Sequence, residues 1–141
     1  MPDSEALIRE PVTNWTRAIE KGDRPGILAH HAPDLLIFDF PDTVRGIDAY
    51  DKTWQFFDDS RRGTVTCEPR DVQVTAGEDV ASASCEIHCD GTTGGSFDFR
   101  LTVCLEKRGD EWVVKHERHS VPTKDDTPIG PDSKKRQEEA Q

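Results

Sequence analysis

No apolar run in these 141 residues approaches the roughly 20 that a membrane-crossing helix needs. The first residues, Met1-Pro2-Asp3-Ser4-Glu5, lack the basic start and apolar stretch of a secretory leader. No two of the four cysteines, Cys67, Cys85, Cys89 and Cys104, stand at the C-x-x-C spacing of a zinc or redox site. Without a leader they read as reduced thiols packed as small apolar groups, which points to a cytoplasmic, soluble protein. Basic residues are scarce too: 18 against 28 acidic, a formal net charge of -10. That balance repels phosphate backbones and anionic lipid, so neither nucleic acid nor a membrane surface is an expected partner.

Metal and phosphate motifs are missing as well. His30 and His31 are adjacent and would diverge by about 100° on a helix. His116 and His119 differ in parity, so a regular strand sends them to opposite faces. No H-E-x-x-H occurs, and Gly91 to Gly95 joins two strands instead of opening a helix. A serine-hydrolase elbow is absent. No metal and no cofactor are expected. Hydrophobic content of 33% and a mean hydropathy of -0.73 are low for a folded chain, and part of the deficit sits in one polar tail.

What is present begins with helices. Ile8, Val12, Trp15 and Ile19 form one apolar stripe, which Pro11 should kink or start. Gly22 stops that helix, and Asp23 can cap a short second one with Pro25 in its first turn, ended by Pro33 near His31. Residues 35–40 read as an internal strand, apolar on both faces except for Asp39. A turn through Pro41 and Asp42 leads to Gly46 and a third helix with Ile47, Tyr50, Trp54 and Phe57 on its buried stripe and Phe56 alongside.

After Ser60 the period becomes twofold. A phase switch near Pro69 separates Val65 and Cys67 from Val72 and Val74 and predicts a bulge. The next two strands alternate cleanly: Ala81, Ala83, Cys85, Ile87, Cys89, then Phe97, Phe99, Leu101, Val103, Leu105. The last strand, 111–121, sets Trp112, Val114, His116, Arg118 and Ser120 against Val113, Lys115, Glu117 and His119. The first set is expected to face inward. Helices first and a meandering antiparallel sheet afterwards give an α+β domain over residues 1–121. Residues 122–141, almost without apolar side chains, read as a flexible polar tail.

Four strings in this order carry a resemblance: Ala18-Ile19-Glu20-Lys21-Gly22-Asp23 followed by Ile27-Leu28; His31-Ala32-Pro33-Asp34 leading to Phe38-Asp39-Phe40; Arg45-Gly46-Ile47-Asp48-Ala49-Tyr50; and Trp112-Val113-Val114-Lys115-His116-Glu117. Over residues 12–121 the chain resembles the SnoaL-like and ketosteroid isomerase-like group of the nuclear transport factor 2-like superfamily. The resemblance implies a cone-shaped, curved sheet with the N-terminal helices on its concave face, around a pocket for a small hydrophobic molecule. It also implies a homodimer through the polar sheet face, for which plain solvent exposure is the alternative. The group includes isomerases, cyclases, dehydratases, hydrolases and domains that only bind or assemble.

In ketosteroid isomerases a carboxylate at the end of the first strand is the general base, and Asp39 falls on that position. Their oxyanion hole, a tyrosine and a protonated aspartate, matches Trp15 and Val103 here. Valine donates no hydrogen bond, so steroid isomerisation is not expected. The candidate catalytic residues are Asp39, His116 and Arg118, with Trp15, Tyr50, Trp54, Val103 and Ser120 around the pocket. Asp39 is either a base open to a cavity or a carboxylate satisfied by a neighbouring cation. His116 and Arg118 either meet it there or form a structural ion pair or exposed strand end. The helix aromatics line a cavity or are plain core. Three functions follow: a cofactor-free enzyme acting on a hydrophobic carbonyl compound, a non-catalytic ligand-binding domain, or a dimeric assembly module.

Overall fold

A computed structural model of the chain describes residues 4–39, 42–59, 61–92 and 95–121, so the expected tail over 122–141 lies outside the described residues. The order is α1 (Ser4–Lys21), α2 (Arg24–Leu28), β1 (His31–Asp39), β2 (Asp42–Arg45), α3 (Ile47–Asp59), β3 (Arg61–Ala76), β4 (Val80–Thr92), β5 (Phe97–Arg108) and β6 (Glu111–Ser120). Helix α1 runs through Pro11, and its four stripe residues are all buried. It stops where Gly22 turns into the left-handed region at φ 69. Asp23 then caps α2 by accepting from the Gly26 N–H at 3.2 Å.

The strands form one curved, unclosed sheet in the order β2-β1-β6-β5-β4-β3. All neighbours are antiparallel except β1 and β6, which run parallel and place the chain's first long strand inside the sheet. The short strand β2 pairs with β1 through Leu36–Arg45 and Asp39–Asp42, a hairpin where the sequence suggested only a turn. Helix α1 lies against β3, while α3 lies against β1 and β2. Arg61 fixes α1 by donating to the carbonyls of Ile19 at 2.8 Å and Glu20 at 2.6 Å, two of the groups a helix end leaves unpaired.

The predicted alternation holds in β4, where Ala81, Ala83, Cys85, Ile87 and Cys89 are buried, and in β5 for Leu101, Val103 and Leu105, while Phe97 is exposed and Phe99 half-buried. The expected bulge in β3 falls at Asp71–Val72, just past Pro69, where the register against β4 slips and Asp71 takes φ 55. A second irregularity was not foreseen. Between Cys104–His116 and Leu105–Val114 the β5–β6 register skips Lys115, so β6 carries one extra residue. No helix among the described residues is long and apolar enough to cross a membrane.

Candidate active site

One skipped residue turns over the second half of β6. With Lys115 unpaired, Glu117 stands opposite Val103 and His119 opposite Leu101, and both β5 partners face the core. Glu117 and His119 therefore point inward with Val114, while His116, Arg118 and Ser120, which were expected to face inward, point the other way. Arg118 is exposed. His116 is half-buried on the outer side, its Nδ1 2.8 Å from the Leu36 carbonyl and its ring edge-on to exposed Phe38. The structure thus does not bring His116 or Arg118 to Asp39. It brings His119.

Between the helices and the sheet lies a hollow of about 300 Å³. Its wall is mostly apolar: Ile37 from β1, Val44 from β2, Trp54 and Phe57 from α3, and Phe97 and Phe99 from β5. Aromatic edges set its shape, with Trp54 T-shaped against Phe57 at 5.3 Å and against Trp15 at 5.6 Å. Its polar groups are few: Asp39, His119, Tyr50, Thr53 and the Cys89 thiol. The Cys89 sulfur lies 3.6 Å from that of Cys67, directly across β3 and β4. The expected pocket residues Tyr50 and Trp54 line the hollow. Trp15 and Val103 instead border a separate crevice of about 10 Å³ together with His31 and Glu117. Ser120, in phase with Arg118, lines neither.

Behind the hollow runs a polar chain through the core. The Trp15 indole N–H donates to the Tyr50 hydroxyl at 2.9 Å, and that hydroxyl faces both oxygens of Glu117 at 3.0 and 3.1 Å. His31 Nε2 contacts Oε1 of the same carboxylate, and His119 Nε2 lies 2.8 Å from Oε2. On its other side His119 turns Nδ1 to Asp39 Oδ1 at 3.4 Å. Glu117 is only 1% exposed, so it is charged in a place where an unpaired carboxylate would be very costly.

Those contacts decide the charge states. Burial works against the Glu117 carboxylate, but His119 and His31 outweigh it and hold its pKa down to about 2. Burial likewise opposes the His119 imidazolium, and Asp39 and Glu117 together overcome that and lift it to about 9. His31 is raised from its ordinary value in the same way, against its burial, by Glu117. Burial pushes the Tyr50 hydroxyl well above its usual range, so it stays a donor. Trp54 Nε1 makes no acceptable hydrogen bond among the described residues, although it lies near enough to Tyr50 to bear on its charge. No group of three or more His, Cys, Asp or Glu side chains among the described residues could hold a metal ion.

A model of the SnoaL-like domain family matches residues 8–124, nearly the whole described fold. The chain belongs to the SnoaL-like domain family. Solved structures agree on the architecture. This SnoaL-like domain is similar to a nuclear transport factor 2-like protein of unknown function from Pseudomonas putida KT2440, at 28% identity and a TM-score of 0.79, covering 90% of this chain and 92% of that one. A candidate ketosteroid isomerase from Shewanella frigidimarina aligns at 20% identity and a TM-score of 0.68, over 79% and 92% of the two chains. A candidate scytalone dehydratase from Novosphingobium aromaticivorans aligns at 12% and 0.73, over 84% and 83%. At such identities the last two speak for the fold alone. Among proteins of curated function, none matches this domain in sequence.

Glu117 and His119 are the residues of the candidate site that strand parity hid, and the slip that turns them inward is visible only in the pairing of β6 with β5.

Proposed function

We propose that this SnoaL-like domain is a cofactor-free acid–base enzyme acting on a small apolar carbonyl compound, as an isomerase, cyclase or dehydratase. The observation that carries the reading is the pairing of Asp39 and His119, 3.4 Å apart, on the wall of a largely apolar hollow. The Asp39 side chain is 34% exposed, so a bound molecule can reach it. In this role Asp39 takes a proton from carbon, and the positive charge of the His119 ring beside it stabilises the negative charge that develops on the substrate oxygen. The hollow stands at the small end of ligand-binding cavities and excludes large substrates.

The test begins with native mass spectrometry of the purified protein to find a retained small molecule, followed by turnover assays on cyclic ketones of that class. Asp39→Asn should keep binding and lower turnover by about a hundredfold or more. Full turnover in that variant refutes the assignment. The same ion pair also favours a second reading, a binding domain in which His119 simply satisfies Asp39. That reading expects ligand-dependent stabilisation of the wild type and no turnover at all.

A further inference from the structure

His119 has a carboxylate on each ring nitrogen, Glu117 on Nε2 and Asp39 on Nδ1. An ionised carboxylate only accepts hydrogen bonds, so Nε2 carries hydrogen towards Glu117, and the Asp39 carboxylate 3.4 Å from Nδ1 favours a second proton there and an imidazolium ring. The surroundings suit a cation. The Trp15 and Phe99 rings lie 5.9 and 5.5 Å from the imidazole centre, within the distance range of cation–π contacts. His31 obeys the same logic, with the Ala29 carbonyl 2.9 Å from Nδ1 and Glu117 on Nε2. Two buried cations, His31 and His119, thus balance two carboxylates, Glu117 and Asp39. Glu117 is the hinge of the set, because it alone touches both histidines and the Tyr50 hydroxyl.

We propose that Glu117 is the positioning residue of this pocket: it aims the His119 ring at Asp39 and keeps a proton on both ring nitrogens. Glu117 does not line the hollow and acts only through His119. The consequence, which rests on the catalytic reading, is a fixed division of labour. A ring already carrying both protons cannot serve as base, so Asp39 is the base and His119 the fixed positive charge beside it. The groups facing His119 are accounted for on every element around it: Asp39 on β1, Glu117 on its own strand, Trp15 on α1 and Phe99 on β5. Tyr50 on α3 and His31 on β1 reach it through Glu117.

The claim about the ring needs no substrate to test. Heteronuclear NMR of ¹⁵N-histidine-labelled protein reads the protonation of each His119 nitrogen as pH is raised. In the wild type both should report imidazolium through neutral pH. Glu117→Gln, which keeps the shape but not the charge, should lower the His119 midpoint by about one unit or more. It should also shift the ring's proximity signals to Trp15 and Phe99. Should Glu117→Gln fail to fold, Glu117→Asp withdraws the carboxylate by one methylene and should lower the midpoint by less. His31→Gln, which removes a competing cation, should not lower it. A neutral His119 ring at pH 7 in the wild type overturns the inference, as does a wild-type titration in whichever Glu117 variant is folded. Either result leaves the Asp39 assignment standing. Conversely, loss of the Asp39 assignment through full turnover of Asp39→Asn leaves this titration result untouched.

Discussion

Replacing Tyr50 by Phe removes one oxygen atom from the middle of the core, and its cost can be worked from the geometry. The hydroxyl donates to the Glu117 carboxylate at 3.0 Å and accepts from Trp15 Nε1 at 2.9 Å. A hydrogen bond to a charged group contributes about 1.5–3 kcal/mol, and a buried N–H left without a partner costs about 1–3 kcal/mol. Taken near their midpoints these give about 4 kcal/mol, a large share of the roughly 5–15 kcal/mol that holds a domain folded. With an unfolding entropy of about 2.1 cal/mol/K per residue, a domain of about 120 residues shifts by about 4 °C per kcal/mol. The melting temperature of Tyr50→Phe should therefore fall by about 16 °C. Urea unfolding followed by circular dichroism measures the free energy directly. A double-mutant cycle with Trp15→Phe isolates the shared bond, because the double variant has no orphaned indole. It should be less destabilised than the sum of the two single variants by about 1–2 kcal/mol. A Tyr50→Phe cost below about 1 kcal/mol, or strict additivity, would show that the chain of hydrogen bonds does not act as described.

Two further outcomes follow from the charges and the register. His119, raised to about 9, contributes stability that is complete below its ordinary 6.5 and is lost as pH climbs through 9, whereas Glu117, depressed to about 2, contributes stability that is complete above its ordinary 4.5 and is lost as pH falls towards 2. Urea midpoints should thus be highest between about pH 4.5 and 6.5 and decline on both sides; a midpoint that rises from pH 6.5 to 9 contradicts the assignment. Arg118→Ala should change stability by no more than about 0.5 kcal/mol and leave ligand-induced thermal shifts intact, since Arg118 is exposed on the outer side. Loss of ligand response in that variant would restore it to the pocket.

Much of the architecture was legible because it rests on periodicities that many side chains enforce together. The α1 stripe at Ile8, Val12, Trp15 and Ile19 and the alternation from Ala81 to Cys89 each leave one orientation that buries the apolar groups. Asp39 was legible for the opposite reason: it is the one polar residue in the run from Leu35 to Asp39, and it does line the hollow. Strand β2 was not, since its residues Asp42–Arg45 offer one apolar side chain and owe their pairing to β1 alone. The second half of β6 misled because parity was carried unbroken from Trp112 to Ser120. A bulge costs little when the neighbouring strand and the core decide which phase is buried, and that decision lies in β5, not in β6. Glu117 looked like a surface residue because its partners are remote: His31 is 86 positions away and Tyr50 is 67.

The unpaired Lys115 also bears on how relatives of this chain are to be compared. Because the strand reads out alternate residues, pairing Lys115 into the ladder would swap a Glu–His wall for a His–Arg wall without substituting any amino acid, whereas deleting Lys115 would keep the Glu–His wall. Two sequences nearly identical over this stretch can therefore carry different chemistry, and an alignment that places a gap one strand-turn too early or too late will transfer functional labels to side chains that face solvent. In this chain the position of the extra residue in the last strand decides which side chains face the hollow as much as the identity of any residue on it.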